Sequence, residues 1–256
     1  MGKPKVAFFD FSCCEGCQLQ VANFGEALLD ILGLIDVVMF REAMSEKSDD
    51  YDVAIVEGSI TTTHDVERIK KIRATAKVLI AYGSCATIGG INGMKNNFDL
   101  EDIKKYVYKE GAKYFESIPT HPLHQIVKVD YFVHGCPVYQ PEFVKVLKCA
   151  LAGLPYVVPD YAVCAECRFN ENVCMYDKGI TCLGPVTRAG CNSWCVNNGN
   201  ICYGCRGMLS NPAKEGQMDI LKKHNIALDW VQNKMNMYNK PRELDTEPPA
   251  NNGHIG

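Results

Sequence analysis

Five short apolar runs alternate with longer amphipathic stretches through the first 150 residues. The runs cover residues 5–9, 35–40, 53–56, 78–82 and 129–134. Continuous apolar runs of this length are typical of parallel strands that are buried on both faces. The pattern therefore predicts five strands in the first part of the chain.

Helical periodicity fills most of the intervals between these strands. A helix is predicted over residues 18–32, and Gly33 is expected to end it. Asp65 and Asp99 are candidate N-caps, and Pro141 suits a first helical turn. They predict further helices over residues 65–74, 99–109 and 141–151. The alternation predicts an α/β fold, a flavodoxin-like doubly wound parallel sheet in the strand order 2-1-3-4-5.

Composition and charge narrow the class of protein. The 256 residues are 47% hydrophobic and 22% charged, which is ordinary for a soluble globular protein, and the formal net charge of −3 gives no reason to expect nucleic acid. No secretory leader, lipidation motif or long apolar span is recognisable, so we expect a cytoplasmic chain with no membrane span. Without a Walker or G-x-G-x-x-G motif, nicotinamide or flavin chemistry is expected on another subunit.

Cysteine is the most informative residue type, because twelve of the fourteen cysteines form three groups of four. In a reducing cytoplasm, abundant cysteine favours metal sites over disulfides, and iron–sulfur clusters take thiolates in fours. The first group is Cys14, Cys17, Cys85 and Cys136, and the others are Cys164, Cys167, Cys174 and Cys182, and Cys191, Cys195, Cys202 and Cys205.

The first group follows the predicted strands 1, 4 and 5. Because the carboxyl ends of parallel strands share one edge of a sheet, cysteines more than a hundred residues apart are expected to meet there. Glycines accompany each cysteine loop, and the helix that begins near residue 18 would point its positive end at the site. The alternative is four separate buried cysteines. Cys13 could also replace Cys14 as a ligand.

The second part of the chain changes character at residues 153–159. Residues 161–208 show little periodicity and much Cys, Gly and Asn, so a loop-rich iron–sulfur domain held by its metals is expected. We predict a flavodoxin-like domain over residues 1–155, an iron–sulfur domain over 156–238 and an extended tail over 239–256. Three arginines lie beside these cysteines and could balance an anionic site: Arg168, Arg188 and Arg206.

The spacing of the last eight cysteines is C-x2-C-x6-C-x7-C followed by C-x3-C-x6-C-x2-C. Division in sequence order costs the least chain entropy, although spacing alone does not fix which cysteines share a site. Paired C-x2-C motifs also occur in zinc sites, so zinc is the alternative for these two groups.

Several motifs together carry a family resemblance. The runs S-C-C-E-G-C at 12–17, G-S-C-A-T-I-G-G at 83–90 and G-C-P at 135–137 resemble those of NiFe hydrogenase small subunits. The later motifs resemble the cytoplasmic group, which includes the sulfhydrogenase delta subunit and the gamma-type subunit of methyl-viologen-reducing hydrogenases. The resemblance covers roughly residues 4 to 210.

This resemblance implies a relay of three 4Fe–4S clusters with no catalytic residue on this chain. The proximal cluster would lie against a large subunit that holds the NiFe centre, and electrons from H2 would leave for a heterodisulfide reductase-linked or NAD(P)/flavoprotein-linked acceptor subunit. Cys164 stands where periplasmic relatives have a histidine, and Cys195 supplies a fourth medial ligand. The implied ligands are Cys14, Cys17, Cys85 and Cys136 (proximal), Cys191, Cys195, Cys202 and Cys205 (medial), and Cys164, Cys167, Cys174 and Cys182 (distal).

Other residues near these motifs have simpler expected roles. Cys149 is expected in the core, and Cys13 does not support oxygen tolerance. Glu15 and Glu57 are expected to accept hydrogen bonds from loop amides, with proton movement as the alternative. His134 is expected to be a structural histidine.

Two other functions fit parts of the sequence. A small subunit like that of complex I also has adjacent cysteines, but it would hold only the first cluster. A zinc-stabilised electron carrier or binding module would have zinc in the last two groups and no large-subunit partner.

Overall fold

The computed structural model of the chain describes residues 2–212, 214–224 and 228–239. Five parallel strands form one sheet in the order β2-β1-β3-β4-β5, so the predicted fold class and strand order are confirmed. Beyond Asn239, the predicted tail lies outside the described residues. The strands are β1 Lys5–Asp10, β2 Asp36–Met39, β3 Val53–Glu57, β4 Val78–Tyr82 and β5 Tyr131–Val133.

Ten α-helices lie within the described residues. In chain order they are α1 Gly16–Ala22, α2 Ala27–Leu34, α3 Thr63–Thr75, α4 Ser84–Ile88, α5 Leu100–Tyr108, α6 Gln140–Leu151, α7 Val163–Phe169, α8 Trp194–Asn197, α9 Lys214–Lys223 and α10 Leu228–Asn239.

The helix predicted over residues 18–32 and its predicted end at Gly33 are both wrong. The helix predicted over residues 18–32 is two helices, α1 and α2, and Gly33 lies inside α2. A turn separates them, in which Gly25 takes a φ of +60° that a residue with a side chain rarely adopts.

Asp65 supports the start of α3 in another way than predicted. The N-cap is Thr62, whose hydroxyl accepts from the Asp65 N–H at 3.1 Å, while the Asp65 carboxylate accepts from the Thr62 N–H at 3.0 Å. The pair is a capping box. Asp99 caps α5 as predicted, because its carboxylate accepts from the Asp102 N–H at 3.0 Å.

The sheet is buried on both faces, which explains its continuous apolar strands. On one face, Phe8 and Ile55 pack with residues of α6 such as Phe143. On the other face, strand residues pack against Ile69 and Ile72 of α3. Each such buried side chain contributes about 1.5–3 kcal/mol relative to an exposed one.

A third apolar cluster lies in the second part of the chain. Val163, Leu183, Val196 and Leu221 form it together with Cys182 and Cys202. Two of the predicted metal ligands are therefore part of the only apolar core that we find among the described residues after 160.

Candidate metal centres

The four cysteines of the first group meet at the carboxyl edge of the sheet. Cys17 lies in α1, Cys85 lies in α4, and Cys136 follows β5. Burial and then Cys136 raise the pKa of the Cys85 thiol to about 12, with smaller contributions from Cys13, Glu57 and Cys14. Burial and then the Glu57 carboxylate raise the pKa of Cys17, with contributions from Cys136 and Cys85. The thiols thus lie close enough to repel one another as anions, and a bound cation would relieve that repulsion.

Three glycines leave room for these sulfurs. A Cβ on Gly83 would lie 2.4 Å from Sγ of Cys17, and Gly83 has a φ of +88°. A Cβ on Gly90 would lie 2.7 Å from Sγ of Cys85. At Gly16 the corresponding distance, to Sγ of Cys14, is 3.3 Å. The backbone can approach the thiols only where side chains are absent.

Glu57 holds the start of α1 beneath this group. It is 2% exposed, and its carboxylate accepts from the backbone N–H groups of Cys17 at 3.2 Å and Gln18 at 2.9 Å. Glu57 is a hydrogen-bond acceptor for backbone amides, as expected, but the amides belong to the first turn of α1 rather than to a loop. Burial raises its pKa although these bonds lower it. That the positive end of α1 points at a cluster stays a prediction, and Glu57 already binds two of its amides.

Glu15 and Cys13 lie in the same loop with different surroundings. Glu15 takes the N-cap position of α1 with a φ of +61° and pairs with Arg41, rather than with the loop amides predicted for it. Burial and Glu57 raise the pKa of the Cys13 thiol to about 12, while Cys14 is exposed. The choice of Cys14 over Cys13 as a ligand stays a prediction.

His134 and Cys149 have structural surroundings. His134 is buried, and its Nδ1 lies 2.9 Å from the Thr87 hydroxyl, which agrees with a structural histidine. Cys149 is half-buried and packs against the core on one face of the sheet, as predicted.

The third group in the chain lines a single cavity. Its lining includes Cys191, Cys195, Cys202 and Cys205. Burial and then Cys191 raise the pKa of Cys205 to about 12, so these thiols also lie within electrostatic reach of one another. A cavity lined by four thiols fits an iron–sulfur cluster better than it fits four separate cysteines.

Arg206 lies in the wall of the same cavity. It is 1% exposed, and its Nη1 and Nη2 donate to the two carboxylate oxygens of Glu142 in α6 at 2.5 and 2.7 Å. Nε donates to the Ala189 carbonyl at 2.8 Å, and Nη1 also donates to the His134 carbonyl at 2.7 Å. Tyr156 donates to Glu142 at 2.9 Å. The sequence indicated Arg206 as a counter-charge but gave no signal for Glu142 or Tyr156.

The other two predicted counter-charges lie elsewhere in the second part. Arg188 donates to the Met208 carbonyl from Nη2 at 2.9 Å and lies 3.9 Å from the Asp160 carboxylate. Arg168 is in the last turn of α7. Among the three arginines, only Arg206 is among the residues lining the cysteine cavity.

The second group in the chain gathers around α7. Burial, with smaller contributions from three neighbours, raises the pKa of the Cys164 thiol to about 12; the neighbours are Cys182, Cys167 and Cys174. A Cβ on Gly184 would lie 3.2 Å from Sγ of Cys164 and 3.5 Å from Sγ of Cys182. Cys174 is the exposed member of this group.

Direct hydrogen bonds join the three groups in a row. The Ser84 hydroxyl, next to Cys85, donates to the Cys205 carbonyl. The Cys202 N–H donates to Sγ of Cys182 at 3.2 Å. The group with Cys191–Cys205 therefore lies between the other two.

The described residues contain neither a single-ion metal site nor a membrane-spanning helix. Within residues 2–212, 214–224 and 228–239, no three His, Cys, Asp or Glu side chains are close enough to ligate one metal ion. Over the same part of the chain, no helix has the length and apolar character needed to cross a bilayer.

Comparison with known proteins identifies the family. Residues 14–150 match the NADH ubiquinone oxidoreductase 20 Kd subunit family. The delta subunit of sulfhydrogenase 2 from Pyrococcus furiosus is 36% identical over 221 residues, 86% of this chain and 92% of the relative. A vhu subunit of the F₄₂₀-non-reducing hydrogenase from Methanocaldococcus jannaschii is 32% identical over 79% of this chain and 81% of the relative.

Solved structures agree on the fold. The reduced, active Ni-Fe-Se hydrogenase from Desulfomicrobium baculatum superposes with a TM-score of 0.58 at 18% identity, over 84% of this chain and 97% of the other. At that identity the likeness concerns the fold. The sequence relatives and the family match together show that the chain belongs to the NiFe hydrogenase small-subunit family. These are electron-transfer subunits that share the 20 Kd subunit domain of NADH ubiquinone oxidoreductase.

Proposed function

We propose that this chain relays electrons through three 4Fe–4S clusters, from H2 oxidised at a partner large subunit to an acceptor subunit. The row of three cysteine groups, joined by the Ser84–Cys205 and Cys202–Cys182 hydrogen bonds, is the observation that carries the proposal. Each cluster would supply a site that accepts and releases one electron. The proposed ligands are Cys14, Cys17, Cys85 and Cys136 (proximal), Cys191, Cys195, Cys202 and Cys205 (medial), and Cys164, Cys167, Cys174 and Cys182 (distal).

The residues around these ligands prepare the sites. Gly83, Gly90 and Gly184 leave space beside the sulfurs, and Glu57 fixes the turn that carries Cys17. Because burial raises the pKa of Cys85, Cys164 and Cys205, these thiols keep their protons until metal binds, and loading would release protons.

Three clusters fit the chain better than the single cluster of a complex I-like subunit. The 20 Kd family match ends at residue 150, before the second and third groups begin. The sulfhydrogenase delta subunit, in contrast, matches 86% of the chain. A one-cluster subunit would also have no use for a cavity lined by four further cysteines.

Zinc sites and iron–sulfur clusters require different spacings of their thiolate ligands. Four thiolates on one zinc, with Zn–S bonds of about 2.3 Å, must lie within about 4 Å of one another. No three donors among the described residues are placed for a single ion. A cubane holds its thiolates farther apart, because each thiolate binds a different iron.

The same proposal includes the organisation of the chain. A flavodoxin-like domain over residues 1–155 would hold the proximal cluster, and an iron–sulfur domain over 156–238 the other two. Tyr156 packs against the apolar core that contains Phe8 and Phe143, which supports a boundary between the two domains near residue 155. We also propose a cytoplasmic location, because abundant cysteine without a disulfide is typical of proteins in a reducing compartment. The acceptor would be heterodisulfide reductase-linked or NAD(P)/flavoprotein-linked.

Metal analysis of the anoxically purified native complex tests this function. Iron, acid-labile sulfide, zinc and nickel are measured and divided by the amount of this chain. About twelve irons with matching sulfide, and one nickel from the large subunit, are expected. About four irons with zinc and no nickel would overturn the relay in favour of a zinc-braced module, and about four irons without zinc would indicate the complex I-like function.

A further inference from the structure

The Arg206–Glu142 pair joins the two proposed domains at the wall of the medial cavity. Glu142 belongs to α6, which packs on the sheet, whereas Arg206 follows Cys205 directly. Arg206 also donates to the His134 carbonyl, two residues before Cys136. The Arg206 guanidinium therefore contacts the loop that carries the proximal ligand Cys136, and it lines the same cavity as the proposed medial ligands.

Neighbouring residues leave little free space around the Arg206–Glu142 pair. Gly190 has a φ of +117°, and a Cβ there would lie 2.3 Å from Nη2 of Arg206 and 3.0 Å from the Glu142 carboxylate. Four donor–acceptor contacts and the Tyr156 hydroxyl leave both side chains hydrogen-bonded while almost fully buried. Such a planar, bidentate arrangement needs arginine, and lysine cannot reproduce it.

A charge in this position acts on any group in the cavity. Arg206 lines the cavity together with the four thiols, so its positive charge lies beside any cluster that they hold. A nearby cation favours the reduced form of a cluster, because reduction adds a negative charge to the site. The Glu142 carboxylate, which binds the guanidinium but is not among the residues lining the cavity, carries the opposite charge and opposes this effect.

We propose that Arg206 and Glu142 together set the reduction potential of the medial cluster through their charges. Arg206 raises this potential and Glu142 lowers it. The proposal rests on the proposed function, since it requires a cluster on Cys191, Cys195, Cys202 and Cys205. It assigns to Glu142, in α6 of the first proposed domain, a role in a site of the second.

Redox titration of the purified complex, followed by electron paramagnetic resonance of each cluster, tests the proposal. Arg206→Gln removes the cation, and the medial potential is expected to shift to a more negative value. Glu142→Gln removes the opposing anion and keeps most contacts, and the medial potential is expected to shift to a more positive value. The double variant is expected to lie between the single variants, and the proximal and distal potentials are expected to move less than the medial one.

A matched control separates this effect from a general change of charge. Arg73 pairs with Asp130 at 2.5 Å near the amino end of β4, at the opposite edge of the sheet from Cys85. Arg73→Gln makes the same charge change as Arg206→Gln and is expected to leave all three potentials unchanged. Arg206→Lys keeps the charge and is expected to stay closer to the wild type than Arg206→Gln.

The outcomes distinguish this inference from the proposed function. Shifts of the same sign in Arg206→Gln and Glu142→Gln, or no medial shift in either, would overturn the inference and leave the relay standing. A wild-type complex without a medial cluster would overturn the relay itself. If Arg206→Gln does not assemble, Glu142→Gln decides alone: a positive shift supports the pair's role and a negative or absent shift rejects it.

Discussion

The backbone N–H of Cys202 donates a hydrogen bond to Sγ of Cys182 at 3.2 Å. One residue belongs to the proposed medial group and the other to the proposed distal group. The two sites therefore share a wall in which the amide of one ligand faces the sulfur of the other. Hydrogen bonds to ligand sulfurs are one way in which a protein adjusts cluster potentials, so with clusters bound this contact would link the two proposed sites.

Cys85→Ser tests the proximal ligand set. We expect it to remove the proximal spectral signal selectively, because Cys85 lies in α4 within the first group and away from the distal one. Electron paramagnetic resonance of the reduced complex measures the three signals. Cys149→Ser is the matched control, since Cys149 packs against the core outside all three groups, and it should keep every signal. If Cys85→Ser also keeps all three signals, the assignment is wrong.

Gly83→Ala tests whether space beside the sulfur is required. The new Cβ would lie 2.4 Å from Sγ of Cys17 at a φ of +88°, so we expect the proximal signal to be lost or strongly reduced. Gly33→Ala in α2 has nothing within 4 Å of its Cβ, and it should keep the signal and stabilise the chain by up to about 1 kcal/mol. Equal cluster content in the two variants would show that the loop tolerates a side chain.

Cys174→Ala tests the direction of the relay. If Cys174 holds the distal cluster at the surface, H2-dependent reduction of methyl viologen should fall by about tenfold or more, a barrier increase of about 1.4 kcal/mol. H2/D2 exchange should persist, because exchange at the large subunit requires no electron to leave. Val173→Ala changes the adjacent exposed residue and should preserve both activities. Loss of exchange together with viologen reduction would contradict the exit role.

Asp52→Asn tests an electrostatic contribution to the fold. The Asp52 carboxylate accepts from the Lys77 ammonium at 2.7 Å and from the Lys5 N–H at 2.9 Å, and these contacts lower its pKa. A lowered pKa stabilises the fold at pH values above the unfolded pKa of about 3.9, and this contribution is lost as pH falls through the folded pKa. With 32% of the side chain exposed, we expect the substitution to cost about 0.5–1 kcal/mol at pH 7.

Urea unfolding of the full chain at a series of pH values measures this cost. The difference between Asp52→Asn and the wild type should be constant near neutral pH and should shrink on acidification below the usual carboxyl range. Glu101→Gln, in an exposed helical pair with Lys104, should show little change at any pH. A difference that grows on acidification would contradict the sign of the effect.

The sequence predicted most of the fold because its signals were local. Runs such as residues 53–56 and 78–82 are typical of strands buried on both faces, and their alternation with helices predicts a doubly wound sheet. The order 2-1-3-4-5 is one of the two common orders of such sheets, and it is the order observed. The break between α1 and α2 was missed because apolar periodicity continues through the turn that Gly25 makes. Thr62 was missed as the N-cap because Asp65, three residues later, is also a favourable capping residue.

The sequence also predicted the chemistry of the sites. Cysteine is rarely abundant in a reducing compartment without metal, and its positions after strands 1, 4 and 5 predicted convergence at one edge of the sheet. What each group binds and how the last eight cysteines divide remain predictions, since a list of spacings does not determine which thiols share a cavity.

The tertiary structure alone decided how these groups are held and joined. The partners of Arg206 and Cys17 are Glu142 and Glu57, which lie 64 and 40 residues away in the chain. No local pattern predicts such contacts, because they depend on how α6 and β3 pack against loops from distant segments. The sequence by itself determined the kind of fold and the kind of ligand, through short-range periodicity and residue chemistry. Tertiary packing determined which carboxylates and cations surround each ligand, because burial and proximity exist only once the chain has folded.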